Sequence, residues 1–380
     1  MVVSVPLLRR AGEVVSVVLV LGGGLAGASA ALELAQARIP VRLLERETGP
    51  RHKVCGEFLS VEAQRDLQRL GLDPAALGAV PIDRVRLIAG ERQVEAALPF
   101  VAQGLSRKRL DEALLQCAER QGARIERGVK VTGIEDGRVS TSAGPCRSRA
   151  ILLATGKHDV RGTARGGPDA GKDYVGFKMH WRLSPAQRRA LGSAIELILF
   201  RGGYAGLQGI SRDGANLCLI VRRNRLAQDG ARWEELIAGM MGESHLARRL
   251  GDAEALFDRP LAIANLPYGY LCDHASSGPE NLYRLGDQAA LTAPLTGDGM
   301  AIALRSARLA VDSVKEGQTP PEYHRRLLAQ AAPQVRRAMF LQRVTERPLA
   351  MHGALGLLGL WPAALGKLAG MTRLAEHRTG

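Results

Sequence analysis

The residues best suited to chemistry in this sequence are closely spaced glycines and one carboxylate near its start. Gly22, Gly24 and Gly27 fit the spacing G-x-G-x-x-G, and Glu45 stands 18 residues beyond Gly27. Glycines at this spacing allow a tight turn and bring backbone N–H groups close to a diphosphate, while an acidic side chain about 20 residues farther on accepts hydrogen bonds from ribose hydroxyls. The pattern therefore predicts a dinucleotide site.

The segments around these glycines are the ones that such a site requires. The run that ends at Leu21 is apolar and rich in β-branched residues, which is typical of a strand buried on both faces. Residues 28–38 are rich in Ala, Leu, Glu and Gln and predict a helix, and residues 41–44 predict a second strand that ends at Glu45. An ordinary βαβ unit can contain a glycine-rich turn, but the order strand, glycine loop, helix, strand and acidic residue favours the dinucleotide interpretation.

Two further features could hold an anionic ligand. A predicted strand at 281–285 leads into Gly286 and Asp287, and the sequence at 294–300 leads into an Ala-rich predicted helix at 301–314. A glycine-lined helix N-terminus stabilises negative charge, and a carboxylate at a strand end can accept hydrogen bonds from hydroxyl groups. The predicted helix that starts at Ser106 has positive charge in its first turn, beginning with Arg107, which an anion nearby would offset.

Composition limits the classes of protein to which the chain can belong. With 380 residues, 46% of them hydrophobic, it can bury one large or two interleaved domains. The net charge of +14 is spread along the chain and suits an anionic cofactor, an acidic carrier protein or a membrane surface. Aromatic residues make up only 4% of the chain, so the sequence predicts no nucleic-acid partner. The five cysteines form no C-x-x-C, which predicts no metal site and a reducing, cytoplasmic location.

The pattern of predicted strands and helices changes along the chain and predicts a discontinuous domain organisation. Residues 82–101 and 173–264 show strands with polar turns and predict a mixed sheet domain inserted into the nucleotide-binding domain. The predicted units are an extension at 1–14, a nucleotide-binding domain at 15–81, 102–172 and 265–320, the sheet domain, and a basic helical region at 321–380. Within that region, 350–370 is nearly uncharged. We expect it to cover an apolar pocket rather than to span a membrane, and contact with a bilayer surface stays open.

Taken together, the glycine loop, Glu45, the sequence Cys55-Gly56-Glu57, Arg107 and the two turns at 286–287 and 294–300 resemble the class A flavin monooxygenases and geranylgeranyl reductases. The resemblance implies an α/β fold of the p-hydroxybenzoate hydroxylase type. In that fold, a Rossmann-like FAD-binding domain carries an inserted mixed β-sheet substrate domain, followed here by a helical C-terminus. The implied cofactor is FAD, with NADPH or NADH as a transient electron donor.

The resemblance also implies roles for individual residues. The residues expected to bind FAD are Gly22, Gly24, Ala26 and Gly27 at the pyrophosphate, Glu45 at the ribose, Cys55, Gly56 and Phe58 near the flavin, Arg107 at the phosphates, Asp287 at the ribityl chain, and Gly297, Gly299 and Met300 at the pyrimidine edge. The candidates for contact with a hydrophobic small-molecule substrate are Tyr204, His180 and Tyr268. No catalytic acid or base is assigned.

Three functions are compatible with these residues. The first hypothesis is a monooxygenase driven by NADH or NADPH that hydroxylates a hydrophobic aromatic or polyketide-like compound. The second is a reductase or dehydrogenase of carbon–carbon double bonds, similar to geranylgeranyl reductase. The third is a non-catalytic flavin-binding sensor. The family's Tyr-x-Trp-x-Phe-Pro element, which presses an isoprenoid to the flavin, is matched here only at Tyr204.

Overall fold

The computed structural model describes residues 17–166, 173–228, 230–242, 244–273, 278–345, 356, 358–371 and 373. The predicted extension at 1–14 and part of the apolar stretch 350–370 lie outside the described residues. In the described part of the chain, two large sheets are joined by helices, with a small third sheet beside them.

The first large sheet is parallel throughout. Its strands are β1 (Val18–Leu21), β2 (Val41–Glu45), β6 (Arg124–Arg127), β10 (Ala150–Leu153) and β17 (Leu282–Arg284), in the order β17-β10-β1-β2-β6. One face is covered by helices α1 (Leu25–Gln36), α2 (Val61–Arg69), α3 (Arg107–Arg120) and α8 (Gly299–Glu316). The other face packs against a three-stranded sheet of β7 (Val131–Glu135), β8 (Arg138–Thr141) and β9 (Cys146–Arg147).

Strand β1 is apolar at every position because both of its faces are buried. Val18 and Val20 pack with the helices, whereas Leu19 and Leu21 pack with the small sheet. Alternate side chains of a strand point to opposite faces, so a strand between two layers needs apolar residues throughout. This confirms that a doubly buried strand precedes the glycine loop.

The second large sheet is mixed. Its strands are β3 (Phe58–Leu59), β4 (Val80–Ala89), β5 (Arg92–Gly104), β11 (Tyr174–Arg182), β12 (Ala194–Phe200), β13 (Gly203–Gly209), β14 (Gly214–Arg222), β15 (Glu254–Ala255) and β16 (Leu261–Ala264). The order is β15-β11-β14-β13-β12-β4-β5-β3, with β16 paired to β11. On its outer face lie α4 (Pro185–Leu191), α5 (Arg223–Gln228), α6 (Trp233–Met241) and α7 (Ser244–Leu250).

Two longer helices lie in the C-terminal part of the described chain. Helix α9 (Pro320–Thr345) packs on α8, and α10 (Ala363–Met371) packs on β5. None of the helices in the described residues combines the length and hydropathy that crossing a lipid bilayer requires.

The predicted fold class is confirmed: a Rossmann-like parallel sheet, a mixed sheet and a helical C-terminus are all present. Two local differences have simple physical reasons. Helix α1 starts at Leu25 rather than at 28, because Gly24 already serves as its N-cap. Strands β8 and β9 were not predicted, since they are short and rich in Arg, Ser and Thr and so lack an apolar alternation.

A buried ionic network under the outer face of the mixed sheet gives a stability prediction. Glu196 of β12 is fully buried and accepts hydrogen bonds from His245 (2.9 Å), Arg249 (2.9 Å) and Arg86 (2.9 Å). Burial alone would raise the pKa of the Glu196 carboxyl, but the hydrogen bonds and positive charges of His245 and Arg249 outweigh burial and lower that pKa to about 2.

We expect Glu196→Gln to lower the free energy of unfolding by about 3 kcal/mol at neutral pH, because it leaves buried cations without their carboxylate. A lowered pKa stabilises the fold above the unfolded value, near 4.5, and this stabilisation is lost as the pH falls from there towards 2. The difference between the two proteins should therefore shrink in acid, which urea unfolding at neutral pH and at about pH 3 would measure. Glu254→Gln, which breaks an exposed pair with Arg182, is the control and should cost less than about 1 kcal/mol.

Candidate functional site

A cavity of about 730 Å³ lies between the parallel sheet and the mixed sheet. We call its two regions the nucleotide end and the apolar end. Residues lining the nucleotide end include Gly22, Gly24, Ala26, Glu45, Cys55, Gly56, Arg107, Asp287, Gly297, Gly299 and Met300. Residues lining the apolar end include Val85, Leu87, Leu98, Phe100, Ile195, Leu197, Tyr204, Ile220, Tyr268, Phe340, Leu365 and Leu368. Phe58 lines the same cavity, so the structure brings together all the predicted cofactor-binding residues except Gly27.

Gly27 lies beneath the glycine loop and allows α1 to approach it. A side-chain carbon at Gly27 would overlap the backbone oxygen of Gly22, which cannot move aside. Glu45 is fixed next to this loop, because its carboxylate accepts hydrogen bonds from the amides of Gly23 (2.5 Å) and Glu47 (2.9 Å). The end of β1 and the end of β2 therefore present amide groups and a carboxylate side by side, the arrangement expected for a diphosphate and a ribose.

Two cations converge on the glycine loop. A side-chain carbon built on Gly24 would lie 3.1 Å from Lys53 Nζ and 3.8 Å from Arg107 Nη2. Asp111 holds both cations, accepting hydrogen bonds from Arg107 Nε (2.7 Å), Arg107 Nη2 (2.9 Å) and Lys53 Nζ (2.9 Å). Burial would raise the pKa of Asp111, but the charges of Arg107 and Lys53 lower it. One carboxylate between two cations leaves a net positive charge beside the loop, which suits a diphosphate.

Asp111 also explains the unusual first turn of α3. The sequence predicts an anion near Arg107, and the structure places one side chain of the same helix there, four residues on. An Arg and an Asp at this spacing face each other along a helix. The positive first turn is therefore partly neutralised within the protein itself.

The second glycine turn opens into the same cavity. A side-chain carbon on Gly299, the first residue of α8, would meet only Thr292 at 4.0 Å, so the helix N-terminus is open. The preceding Asp298 is buried, and burial raises its pKa to about 6. It forms an ion pair with Arg373 at 3.2 Å. The positive end of the α8 dipole thus faces the cavity and can stabilise a negatively charged ring edge.

The glycine loop and the second glycine turn lead into α1 and α8, and Gly286 lies where these two helices meet. A side-chain carbon on Gly286 would lie 3.3 Å from the Cβ of Ala26 in α1 and 3.6 Å from the Cβ of Ala303 in α8. Asp287 follows in the cavity lining, and its backbone oxygen accepts a hydrogen bond from Arg165 at 3.0 Å. A single extended ligand can therefore contact both turns.

A loop from Lys53 to Glu57 crosses the cavity between the two sheets, and every one of its carbonyl groups accepts a hydrogen bond from a side chain. The pairs are Lys53 with Lys178 (3.1 Å), Val54 with Lys157 (2.8 Å), Cys55 and Gly56 with Asn216 (3.0 and 2.9 Å), and Glu57 with Gln208 (2.9 Å). Three of the donors lie on the neighbouring strands β11, β14 and β13. The mixed sheet therefore holds this loop in one conformation.

Glu57 anchors the loop at 53–57 through its buried carboxylate. Its φ of +60° is in the left-handed region, which non-glycine residues rarely adopt. The fully buried carboxylate pairs with Lys178 (2.5 Å) and His180 (2.7 Å) and accepts a hydrogen bond from the Arg107 amide (2.7 Å). Burial would raise the pKa of Glu57, but the charge of Lys178 and the hydrogen bond of His180 lower it. The mixed sheet, the loop and the start of α3 thus meet at one carboxylate.

His52, Glu57 and His180 also place possible metal ligands within 4.8 Å of one another. The buried ammonium of Lys178 already satisfies Glu57, however, and its charge would repel a divalent cation. The Glu57 cluster is therefore interpreted as an ionic anchor for the loop.

The apolar end offers a substrate almost no charge. The described strands of the mixed sheet, together with α9 and α10, contribute no carboxylate and no imidazole to its lining. Tyr204 and Tyr268 line it, as predicted candidates for substrate contact, and burial raises the pKa of both phenols, so they are neutral. His180 is not part of the lining; it lies behind Glu57.

Helices α9 and α10 cover the apolar end of the cavity, and we call this cover the roof. Phe340 of α9 and Leu365 and Leu368 of α10 line the cavity. Arg373 closes the space towards the second glycine turn, where it donates a hydrogen bond to the Thr296 carbonyl and stacks 5.3 Å from the ring of Phe100. This roof covers part of the apolar end with apolar side chains.

The roof depends on one close helix–strand contact. A side-chain carbon on Gly366 of α10 would collide with the backbone oxygen of Ala97 in β5. We expect Gly366→Ala to lift α10 from the sheet and to raise amide hydrogen exchange in residues 363–371 by about tenfold or more, equivalent to about 1.4 kcal/mol of local stability. Gly359→Ala is the matched control, because nothing lies within 4 Å of that position. Equal exchange in the two variants would show that the contact does not hold the roof.

Sequence reasoning missed most of the loop anchors. Lys178, Asn216 and Gln208 interrupt otherwise apolar or small-residue strands, and these interruptions were the available signal. A polar side chain inside an apolar strand indicates a buried partner, but it does not identify that partner.

Comparisons with known proteins agree with this site. A family model for an FAD binding domain matches residues 15–146. A menaquinone reductase from Mycolicibacterium smegmatis is 26% identical over 320 residues, which cover 79% of this chain and 76% of that protein. A menaquinone reductase from Mycobacterium tuberculosis H37Rv is 26% identical over 322 residues, which cover 78% of this chain and 75% of that protein.

Two solved structures share the fold. The flavin-dependent brominase Bmp2 superimposes with a TM-score of 0.74 at 18% identity, covering 93% of this chain and 92% of that one. Pseudomonas aeruginosa PqsL in complex with 2-aminobenzoylacetate superimposes with a TM-score of 0.70 at 18% identity, covering 88% of this chain and 98% of that one. These matches confirm the predicted FAD-binding domain, the fold class and the resemblance to flavin-dependent oxidoreductases.

The residues present fit FAD. The position left free by Gly24 faces two cations, and the open N-terminus of α8 lies in the same cavity. A bound FAD would place its diphosphate at the first of these and the pyrimidine edge of its flavin at the second.

Proposed function

We propose that this FAD-dependent oxidoreductase reduces a carbon–carbon double bond in a long, apolar substrate of the isoprenoid type. The observation that carries the proposal is the apolar end of the cavity, where the described strands of the mixed sheet, α9 and α10 contribute no carboxylate or imidazole to activate a phenol or to bind a charged group. An apolar lining of this kind binds hydrocarbon groups best. Each Å² of apolar surface that is removed from water contributes about 25 cal/mol to the free energy of binding.

The similarity to menaquinone reductases supports a reduction as the reaction and a quinone as the kind of substrate. Those relatives are named for the reduction of a quinone, and the match to them extends over most of both chains. The Trp and Phe of the Tyr-x-Trp-x-Phe-Pro element are replaced here by Gly206 and Gln208, and both of these residues line the cavity. The smaller residues leave room for a substrate bulkier than a bare isoprenoid chain.

In this proposal, FAD, when bound, supplies hydride transfer. The protein holds the cofactor through the glycine loop, Lys53 and Arg107, and the loop at 53–57 lines the cavity beside the position expected for the flavin. The apolar end orients the chain of the substrate, and the roof excludes water. A hydride equivalent and a proton add across the double bond, while NADH or NADPH, the proposed donor, is oxidised.

A monooxygenase reaction is the second candidate. The apolar lining favours it, because exclusion of water from a reaction site protects activated oxygen from unproductive decay. The solved structure of PqsL, a protein described as a probable FAD-dependent monooxygenase, has the same fold.

Product analysis distinguishes the two candidates. The holoenzyme is supplied with NADH or NADPH and an isoprenoid quinone, with and without oxygen, and the products are examined by mass spectrometry. A product formed without oxygen that still carries two added hydrogens after its quinone ring has been reoxidised in air supports the reductase. A product that has gained an oxygen atom and that forms only in air would show that the protein is a monooxygenase and not a reductase. Binding of FAD without turnover of any substrate would favour the sensor hypothesis.

A further inference from the structure

The large apolar side chains that are exposed in the described residues are concentrated on α9, on α10 and at residues 360–361 just before α10. Five of the seven belong there, and we call the surface that they form the C-terminal face: Phe340, Leu360, Trp361, Leu368 and Met371. Leu360 is 85% exposed, and Phe340 and Met371 are each 64% exposed. Such a concentration of exposed apolar side chains in one part of the chain indicates a contact with a partner or a lipid phase.

The C-terminal face is continuous with the cavity. Phe340 and Leu368 are exposed to solvent and also line the apolar end. Helices α9 and α10 are held together there by a hydrogen bond from Arg337 to the carbonyl of Met371 at 2.9 Å. An apolar molecule at this surface therefore meets the rim of the substrate cavity.

Positive charge surrounds the exposed apolar residues. Arg336 and Arg343 are exposed on α9, three or four residues to either side of Phe340, so all three lie on one stripe of the helix. From Tyr323 to Thr345, α9 carries five arginines and no acidic residue. On α10, Lys367 extends over the ring of Trp361, with its Nζ 5.1 Å from the ring centre.

We infer that the C-terminal face docks on an anionic lipid bilayer. Its apolar side chains enter the acyl boundary, and its arginines and Lys367 stay at the level of the phosphate groups. Aromatic residues paired with long basic side chains are the usual anchors at this depth, and basic residues add electrostatic attraction to anionic lipid. An acidic carrier protein would use the arginines but would leave the apolar residues unexplained.

The docked orientation would place the cavity rim against the source of a lipophilic substrate. This delivery role rests on the proposed function, whereas the docking itself does not. Vesicle binding is measured without turnover, so a failure of the docking proposal can be told apart from a failure of the proposed reaction.

Sedimentation of the holoenzyme with lipid vesicles tests the proposal. We expect the protein to bind vesicles of equal parts phosphatidylglycerol and phosphatidylcholine and to bind pure phosphatidylcholine vesicles much more weakly. The double variant Phe340→Ser with Trp361→Ser should lose about a hundredfold in partition coefficient, because two large apolar side chains no longer enter the bilayer. Its control is Leu256→Ser, which removes an exposed apolar residue outside the C-terminal helices.

A second pair of variants tests the charge. Arg336→Glu with Arg343→Glu should weaken binding to the anionic vesicles about tenfold or more, whereas Arg189→Glu on α4 should have little effect. Absence of binding to anionic vesicles, or binding that all these variants share, would overturn the proposal. Capture of an acidic acyl carrier protein without any vesicle binding would overturn it in favour of a protein partner.

Discussion

Replacing Arg107 by methionine should weaken FAD binding about a hundredfold, equivalent to about 2.7 kcal/mol. Arg107 is one of the two cations that face the position left free by Gly24. Burial would lower the pKa of Arg107, but the charge of Asp111 raises it, so the guanidinium stays charged. Without Arg107, the buried Asp111 would keep only Lys53 and would repel the diphosphate.

Titration of the apoprotein with FAD, followed by flavin fluorescence or calorimetry, measures this effect. Lys108→Met is the matched control: it removes a neighbouring positive charge that is exposed on the same helical turn. It should change the affinity by less than about threefold. If Arg107→Met bound FAD as tightly as the parent protein does, the assignment of the diphosphate to this position would be wrong.

Replacing Glu57 by glutamine should lower the free energy of unfolding by about 3–5 kcal/mol. The variant leaves the fully buried ammonium of Lys178 without its carboxylate and weakens the bonds to His180 and to the Arg107 amide. The loop at 53–57 would lose the anchor that keeps Glu57 in its strained conformation. Urea unfolding of the apoprotein measures the loss.

A double-mutant cycle identifies the cause. Adding Lys178→Met to Glu57→Gln removes the uncompensated charge, so the double variant should recover about half or more of the lost stability. Strictly additive losses would show that Glu57 and Lys178 are not coupled, and the description of the Glu57 cluster as an ionic anchor would then fail.

The parts of the site that the sequence predicts are the ones encoded by neighbouring residues. The glycine loop, α1 and Glu45 lie within one βαβ unit, where spacing along the chain determines spacing in the fold. The second turn before α8 has its own glycines and strand, so it was predicted by the same argument. That both turns face one cavity followed only from the resemblance, and the structure places them together.

The anchors that could not be predicted depend on contacts between distant segments. Glu57 and His180 are 123 residues apart along the chain, and their pairing is decided by how the mixed sheet packs against the loop. The contact of Gly366 with Ala97 depends on where α10 packs against β5, and no local sequence pattern determines that position. Asp111 is different: it lies four residues beyond Arg107 on one helix and could have been identified from the spacing.

The most direct test of the proposed reductase is an oxygen-free half reaction. The holoenzyme is first reduced with dithionite, which removes any dependence on a nicotinamide donor, and is then mixed with an isoprenoid quinone while the flavin absorbance is recorded. We predict that the absorbance of oxidised flavin returns without oxygen, together with a product that has gained two hydrogens across a double bond. An absorbance that stays at the reduced level with every apolar acceptor until oxygen is admitted would contradict the account.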